Sequence, residues 1–239
     1  MGAAKQIWSD RWPPGWHVEH VSQTGSTNAD LLALAAADAP DRSVLAADHQ
    51  TAGRGRLDRR LDAPAGANLL VSILFRDVPA APGELTRRVG LAAAEAAREL
   101  SGLDVGLKWP NDLVVDGAKL AGILAQRAPG GEVVVGLGLN VGWAPDGAVR
   151  LGDHLTPPTA LAAVLEQYDR LPADITRRYR DRLHTLGQRV RVELPDVEIV
   201  GRATDVDPDG RLVVLDQCGV THRLDAGDVG HLRGAEPAG

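Results

Sequence analysis

Cysteine, lysine, asparagine and aromatic residues are all scarce in this 239-residue chain. A single cysteine, Cys218, excludes a disulfide framework and a Cys-rich zinc site, and it suits a reducing compartment. No apolar run reaches ~18 residues, so no membrane-spanning helix and no membrane partner are expected. The N-terminal stretch MGAAKQIWSDRWPPGW lacks the apolar segment of a secretory signal, which points to the cytoplasm. A net charge of −6 argues against a chain that coats nucleic acid, and 44% hydrophobic residues fit a folded chain, not a disordered one. Of the 26 basic side chains only Lys5, Lys108 and Lys119 are lysines, and asparagine occurs only at Asn28, Asn68, Asn111 and Asn140. A composition biased toward Ala, Gly and Arg explains the scarcity. It does not explain why Lys108, Lys119 and Asn111 share one twelve-residue stretch.

Three of the five tryptophans (Trp8, Trp12, Trp16) fall in residues 1–20, which read as an extended arm laid on the body. Ser26-Thr27-Asn28 precedes a helical run of apolar residues, so Ser26 is placed as a helix cap. Ser43–Ala47 and Asn68–Phe75 read as strands, and Glu84–Leu100 as an Ala-rich helix. Gln50–Pro64 is polar, rich in Gly and Arg, and reads as a loop. It has little apolar anchorage and is expected to be mobile without ligand. Short strands follow near Val105–Lys108, Leu113–Val115, Leu120–Gln126 and Val133–Leu139, with Asp116-Gly117 as a hairpin turn. Thr159–His184 is helical with a break at Leu171-Pro172. After Gly187 the spacing changes to short strands about every 10 residues, the pattern of a small all-β barrel. The division expected is a catalytic unit over 1–185 and a barrel over 186–239.

Four segments carry chemistry. Gly53-Arg54-Gly55-Arg56-Leu57-Asp58-Arg59-Arg60 is either a phosphate- or carboxylate-binding loop or a solvated surface loop; guanidinium forks and close backbone approach suit the first. In Lys108-Trp109-Pro110-Asn111-Asp112 and Lys119-Leu120-Ala121-Gly122-Ile123-Leu124, the Asp116-Gly117 turn brings Asp112 and Lys119 together, as a reactive pair or as an ordinary salt bridge. In Val133–Gly142, Gly136 and Gly138 strip one face of a strand, so a ligand can lie against the backbone. No helix start follows, so this is not a dinucleotide turn. Thr24-Gly25-Ser26-Thr27-Asn28 offers hydroxyls and an amide to a small polar group, although a bare helix cap accounts for it equally.

In order and spacing, these segments, together with Gly66-Ala67-Asn68-Leu69, resemble the biotin protein ligase family from about Thr24 to Arg233. The resemblance implies an α+β fold, a mixed β-sheet flanked by helices of the class II synthetase and biotin–lipoate ligase kind, with a small C-terminal SH3-like barrel. It implies a short form without an N-terminal DNA-binding domain, and no nucleic acid partner. It also implies that biotin and MgATP form biotinyl-5′-AMP, and that biotin is then transferred to one lysine of a biotin carboxyl carrier domain of a biotin-dependent carboxylase. Lys119, Asp112 and Arg54 are the catalytic positions so implied. Ser26, Thr27, Asn28, Gln50, Gly53, Arg54, Lys119, Gly122, Gly136 and Gly138 fall at biotin positions. Arg56, Arg59, Asn111, Asn140 and Arg233 fall at adenylate positions. No metal ligands are assigned, and nothing chooses between monomer and dimer.

Two residues depart from the family loop: Asp58 stands in place of a third glycine, and Leu61 in place of the aromatic over adenine. Weaker or altered ATP handling is expected from them. Lipoate–protein ligase shares fold and logic and is the nearest alternative; the Lys-Trp-Pro-Asn-Asp and Gly-Arg-Gly-Arg segments favour biotin. A DNA-binding repressor and a non-catalytic biotin-binding module are the other readings. About 20 residues before the first motif and an acidic chain argue against the former, and Asp112 and Lys119 against the latter.

Overall fold

A computed structural model describes residues 8, 12–53, 63–81, 83–194, 197–225 and 227–231. The calls on Arg54, Arg56, Asp58, Arg59, Leu61 and Arg233, and on most of the loop they share, lie outside the described residues. Among the described residues two sheets carry the fold. The larger has seven strands in the order β1-β2-β3-β7-β6-β5-β4: β1 (His17–Thr24), β2 (Ser43–Gln50), β3 (Leu69–Phe75), β4 (Gly106–Lys108), β5 (Asp112–Val115), β6 (Ala118–Arg127) and β7 (Val133–Leu139). Only β1 and β2 pair in parallel; the other neighbours are antiparallel, so the sheet is mixed as expected.

Helices α2 (Gly83–Ser101) and α3 (Pro157–Asp169) cover one face over a core that includes Val71, Ile73, Ile123, Val135, Leu137 and Leu139. Helix α1 (Thr27–Ala36) covers part of the other face through Leu31 and Ala35, packed on Leu45, Leu74 and Val134. A 19-residue α2 rich in alanine lies flat on the sheet because small side chains allow close approach; Ala92, Ala93, Ala94, Ala96 and Ala97 are all buried. The break expected at Leu171-Pro172 separates α3 from α4 (Thr176–Arg182).

The smaller sheet is antiparallel throughout and holds β8 (Arg189–Glu193), β9 (Glu198–Val206), β10 (Leu212–Asp216), β11 (Thr221–Leu224) and β12 (Asp228–His231) in the order β11-β10-β9-β8-β12. It is the small all-β unit anticipated after Gly187. Its buried Val190, Val192, Val206, Leu212 and Val214 join the same apolar cluster as α2 and the large sheet.

The reading of the first 20 residues needs correction. Residues from His17 onward are not arm but edge strand β1, paired with β2 from His17↔Ser43 to Thr24↔Gln50. Parallel pairing joins segments separated by a helix, and β1 has no clean in–out alternation to announce it. The preceding tryptophans do lie on the body. Trp8 stacks on His20 at 4.3 Å, and the buried Trp16 donates its indole N–H to Asp169 at 2.9 Å beneath the Arg42 guanidinium. Tyr168 edges Trp16 and stacks on Phe75, and burial pushes its phenol up to about 12.

Candidate active site

The site lies on the face of the large sheet that α1 only partly covers. Along β7, Val134 packs under α1, but the next two positions on the same face are Gly136 and Gly138. Register extends the bare strip across strands. Ala47, Leu70, Gly138, Gly122 and Asp112 form one cross-strand row, and Leu45, Ser72, Gly136 and Leu124 form the next. Directly paired residues point to one face, so the three glycines lower one strip of the sheet into a trough, which Asn28 crosses at Gly136 and Lys119 at Gly122.

At one end α1 begins. Ser26 is its N-cap, in extended backbone at φ −159° and ψ 124°, and its hydroxyl accepts the Ala29 N–H at 3.5 Å. Thr27 and Asn28 are buried. The Gln50 side-chain oxygen, Oε1, accepts both the Thr27 N–H at 2.8 Å and the Thr27 hydroxyl at 3.2 Å. The Asn28 amide donates to the Leu124 carbonyl at 3.1 Å and to Gln126 Oε1 at 2.8 Å. The Ser72 hydroxyl lies 2.7 Å from Thr27 Oγ1 and 2.5 Å from Asn28 Oδ1, with its one proton open to either. The backbone beyond β2 continues the pairing, Thr51 N–H to the Thr24 carbonyl at 2.9 Å and Ala52 N–H to that of Gly25 at 2.8 Å. This keeps Gln50 beside the cap. Gly53 lies against Gln50, where a Cβ would stand 3.2 Å from Gln50 Cβ.

At the other end the hairpin turn of Asp116 (φ 50°) and Gly117 (φ 80°) joins β5 to β6, with positive φ at both positions as that turn requires. A register shift between Leu113 and Val114 turns Lys119 onto the trough face, where its ammonium donates to Asp112 Oδ1 at 2.7 Å. Lys119 is half exposed and Asp112 is 24% exposed. The lysine stem lies over Gly122: a Cβ there would stand 3.0 Å from Nζ. Lys108 pairs opposite Asp112 and has no carboxylate within ion-pair distance among the described residues.

The asparagines brought together here do structural work as well. Asn68 Oδ1 accepts the N–H groups of Val141 and Trp143, and Asn68 donates to Asn140 at 3.4 Å. Asn140, also buried, donates to the Val149 carbonyl, and Val149 N–H bonds the Lys119 carbonyl at 2.9 Å. Asn140 thus supports the backbone that carries Lys119. Asn111 ties the β4–β5 turn to β6 through the Ile123 carbonyl at 2.7 Å.

One role changes. Gly136 was expected to clear space for a ligand, but a Cβ there would overlap Asn28 Oδ1, so its bareness admits the Asn28 amide. Ser72 and Gln126 were missed. A lone serine inside the apolar strand LLVSILF was the available signal for Ser72; Gln126 offered none. Gly136 and Gly122 are diagonal neighbours, about 7–8 Å apart. The trough therefore offers an uncharged hydrogen-bonding end and a charged end separated by the span of a small molecule.

Residues 21–141 match the model of the biotin/lipoate A/B protein ligase family, and residues 185–232 match that of the biotin protein ligase C-terminal domain. The chain is 44% identical to the biotin–[acetyl-CoA-carboxylase] ligase of Mycobacterium tuberculosis, over 92% of this chain and 91% of that one. It is 31% identical to the bifunctional ligase/repressor BirA of Escherichia coli, over 80% of this chain and 66% of that one. A solved biotin protein ligase from Aquifex aeolicus, in complex with biotin and ATP, superposes with a TM-score of 0.77 at 23% identity, over 91% of this chain and 99% of that one.

Proposed function

The chain belongs to the biotin/lipoate A/B protein ligase family, and from that premise we propose how its trough ligates biotin to protein. The enzyme is an ATP-dependent biotin–protein ligase. The observation that carries the residue roles is the pairing of a neutral, hydrogen-bonding end with a charged end across three glycines. Biotin has the matching polarity, an uncharged ureido ring at one end and a carboxylate at the other.

Ser26, Thr27 and Gln50 face the ureido group, with Asn28 fixed beneath them by Ser72 and Gln126, and Gly53 leaving room for the Gln50 side chain. Gly138 forms the floor under the ring and chain, and Gly122 makes room for the Lys119 stem. Lys119 meets the carboxylate. In the first step that oxygen attacks the α-phosphorus of MgATP, the bond to the bridging oxygen breaks, and pyrophosphate leaves. Negative charge gathers on non-bridging oxygens, which a fixed ammonium stabilises. Magnesium arrives as part of the nucleotide substrate. Arg54 is assigned beside Lys119, and Arg56, Arg59 and Arg233 at the adenylate, by the family motif. Asn111 and Asn140 act at the adenylate through the turns they hold.

In the second step the carrier lysine must reach the acyl carbon as a free amine. Asp112 is placed to take its proton, since Lys119 already orients the carboxylate at 2.7 Å. AMP then leaves. The partner is the carrier domain of a biotin-dependent carboxylase, and a free, exposed Cys218 suits the reducing cytoplasm in which such carriers are modified. Among the described residues no helix is long and apolar enough to cross a membrane.

Incubating the chain with MgATP, apo carrier domain and either biotin or lipoate tests the reading. One biotinyl group added to the carrier, only with ATP and biotin, is the expected result. Lipoyl transfer in its place would reassign the substrate.

A further inference from the structure

Helix α2 buries one charged side chain, Arg87, with 5% of its surface exposed. Among the described residues no carboxylate lies within ion-pair distance of it, and its Nε has no hydrogen-bond partner. Its two Nη atoms both donate, at 3.2 Å, to the Pro208 carbonyl, and its guanidinium sits 5.8 Å over the Tyr179 ring. Burial holds the Tyr179 phenol neutral by pushing its titration far up. Burying a cation with one carbonyl and one aromatic ring for partners is costly. Stability is a poor reason to keep it.

The carbonyl it holds belongs to the β9–β10 turn. That turn is closed on itself by Asp207 N–H to the Arg211 carbonyl at 3.0 Å and Gly210 N–H to the Asp207 carbonyl at 2.8 Å. Its tip presents a second carbonyl, Gly210, to the indole N–H of Trp109 at 3.0 Å. Gly210 has φ +89°, and a Cβ there would stand 2.7 Å from Arg87 Nε, so the tip is pressed against both partners. The backbone N–H of Trp109 donates to the fully buried Thr185 at 2.9 Å. Just before it, Leu107 accepts the His184 N–H at 2.7 Å. Both N–H groups of Trp109 are therefore held by residues beyond α4, in the turn that leads three positions on to Asp112 at the start of β5.

We propose that Arg87 is a positioning residue for carrier biotinylation: it clamps the Pro208–Gly210 tip against Trp109, and so fixes the β4–β5 turn that aims Asp112 at the acyl adenylate. The small sheet acts through this latch on the second step, without touching the substrate. The inference rests on the ligase reading above.

The test uses the full chain, preformed biotinyl-AMP and apo carrier domain in single-turnover transfer, beside thermal unfolding. Arg87→Met should slow transfer about tenfold, with the carrier KM within about twofold of wild type and the melting temperature unchanged or raised. Arg87→Lys should recover part of the rate, because an ammonium still reaches the Pro208 carbonyl. Trp109→Phe, which deletes the donor to Gly210, should also slow transfer. The double variant should be no slower than about twofold below the slower single, since both act through one tip. Transfer within twofold of wild type in Arg87→Met overturns the proposal. So do losses that multiply in the double variant, or rate and melting temperature falling together without recovery in Arg87→Lys. If Arg87→Met does not fold, Trp109→Phe decides: slower transfer upholds the latch and the wild-type rate overturns it. Absence of transfer by the wild-type chain would instead sink the ligase reading.

Discussion

The two ends of the glycine trough are built on opposite terms. Around Asn28 the polar groups are neutral and bonded to one another, from the buried Thr27, Asn28 and Ser72 out to the exposed Gln126: amide to Leu124 and Gln126, hydroxyl of Ser72 between Thr27 and Asn28, Gln50 closing on Thr27. At Lys119 and Asp112 two opposite charges meet in a half-open setting. A satisfied buried network fixes geometry, and losing one member leaves others unpaired. A half-exposed ion pair contributes little to stability, and its members stay free to change partners. Recognition at the first end is set by folding; the second end is left able to react. The difference predicts that variants of the charged end harm catalysis and spare stability, and that variants of the neutral end do the reverse.

The largest effect should come from Lys119→Ala. Removing the fixed cation should slow biotin-dependent pyrophosphate exchange by about 10³, the upper range for losing one group that stabilises developing charge. Lys119→Arg keeps the charge, yet the lysine stem already fills the space over Gly122, and a planar fork is bulkier. A loss of about tenfold in the same assay is expected. Wild-type exchange by Lys119→Arg would mean that any cation suffices there and that the rarity of lysine in this chain is only compositional.

Asp112→Asn ranks next, with transfer from preformed biotinyl-AMP slowed by about 10², the scale of a lost general base. Pyrophosphate exchange should change far less. Equal losses in the two assays would remove Asp112 from the second step. A third variant moves to the neutral end. In Gly136→Ala the new methyl overlaps Asn28 Oδ1, so the amide must give up its place over the strand. The expected cost is about 1–3 kcal/mol in unfolding free energy, from displaced packing and broken hydrogen bonds, with a raised KM for biotin and kcat nearly kept. Chemical denaturation and steady-state kinetics check both. A variant that unfolds normally but loses kcat would erase the contrast between the ends.

How much of this was legible in the sequence differs along the same line. Strand β7 falls on the span expected for it, Val133–Leu139, and the Asp116-Gly117 turn places Asp112 against Lys119 as its sequence requires. Those features are local, and local rules reach them. Strand β1 was not legible, because its partner lies beyond a helix and nothing in HVEHVSQT alternates cleanly. The neutral end was legible in parts: the cap was evident at Ser26, but Gln126 lies 98 positions from Asn28. The task of Gly136 could be known only from which side chain crosses over it. Arg87 gave no signal among many arginines until its burial without a carboxylate was seen.

The smallest effect predicted is the one that most directly weighs the charged end as structure. Replacing both partners, Lys119→Met with Asp112→Asn, removes the 2.7 Å ion pair without stranding a charge. With the ammonium half in water, the attraction is weak, and ordering two side chains offsets it; such pairs contribute about 0–1 kcal/mol. For a chain of this size, 1 kcal/mol moves the melting temperature by roughly 2–4 °C, so the double variant should stay within that window. Raising the salt from about 0.1 to 1 M shortens the screening length from about 10 to 3 Å, and the small difference from wild type should shrink further. A double variant as unstable as Gly136→Ala would show that Lys119 and Asp112 hold the hairpin together and that the two ends are alike in kind. A shift inside the window, with both half-reactions lost, would show an ion pair kept for its reactivity.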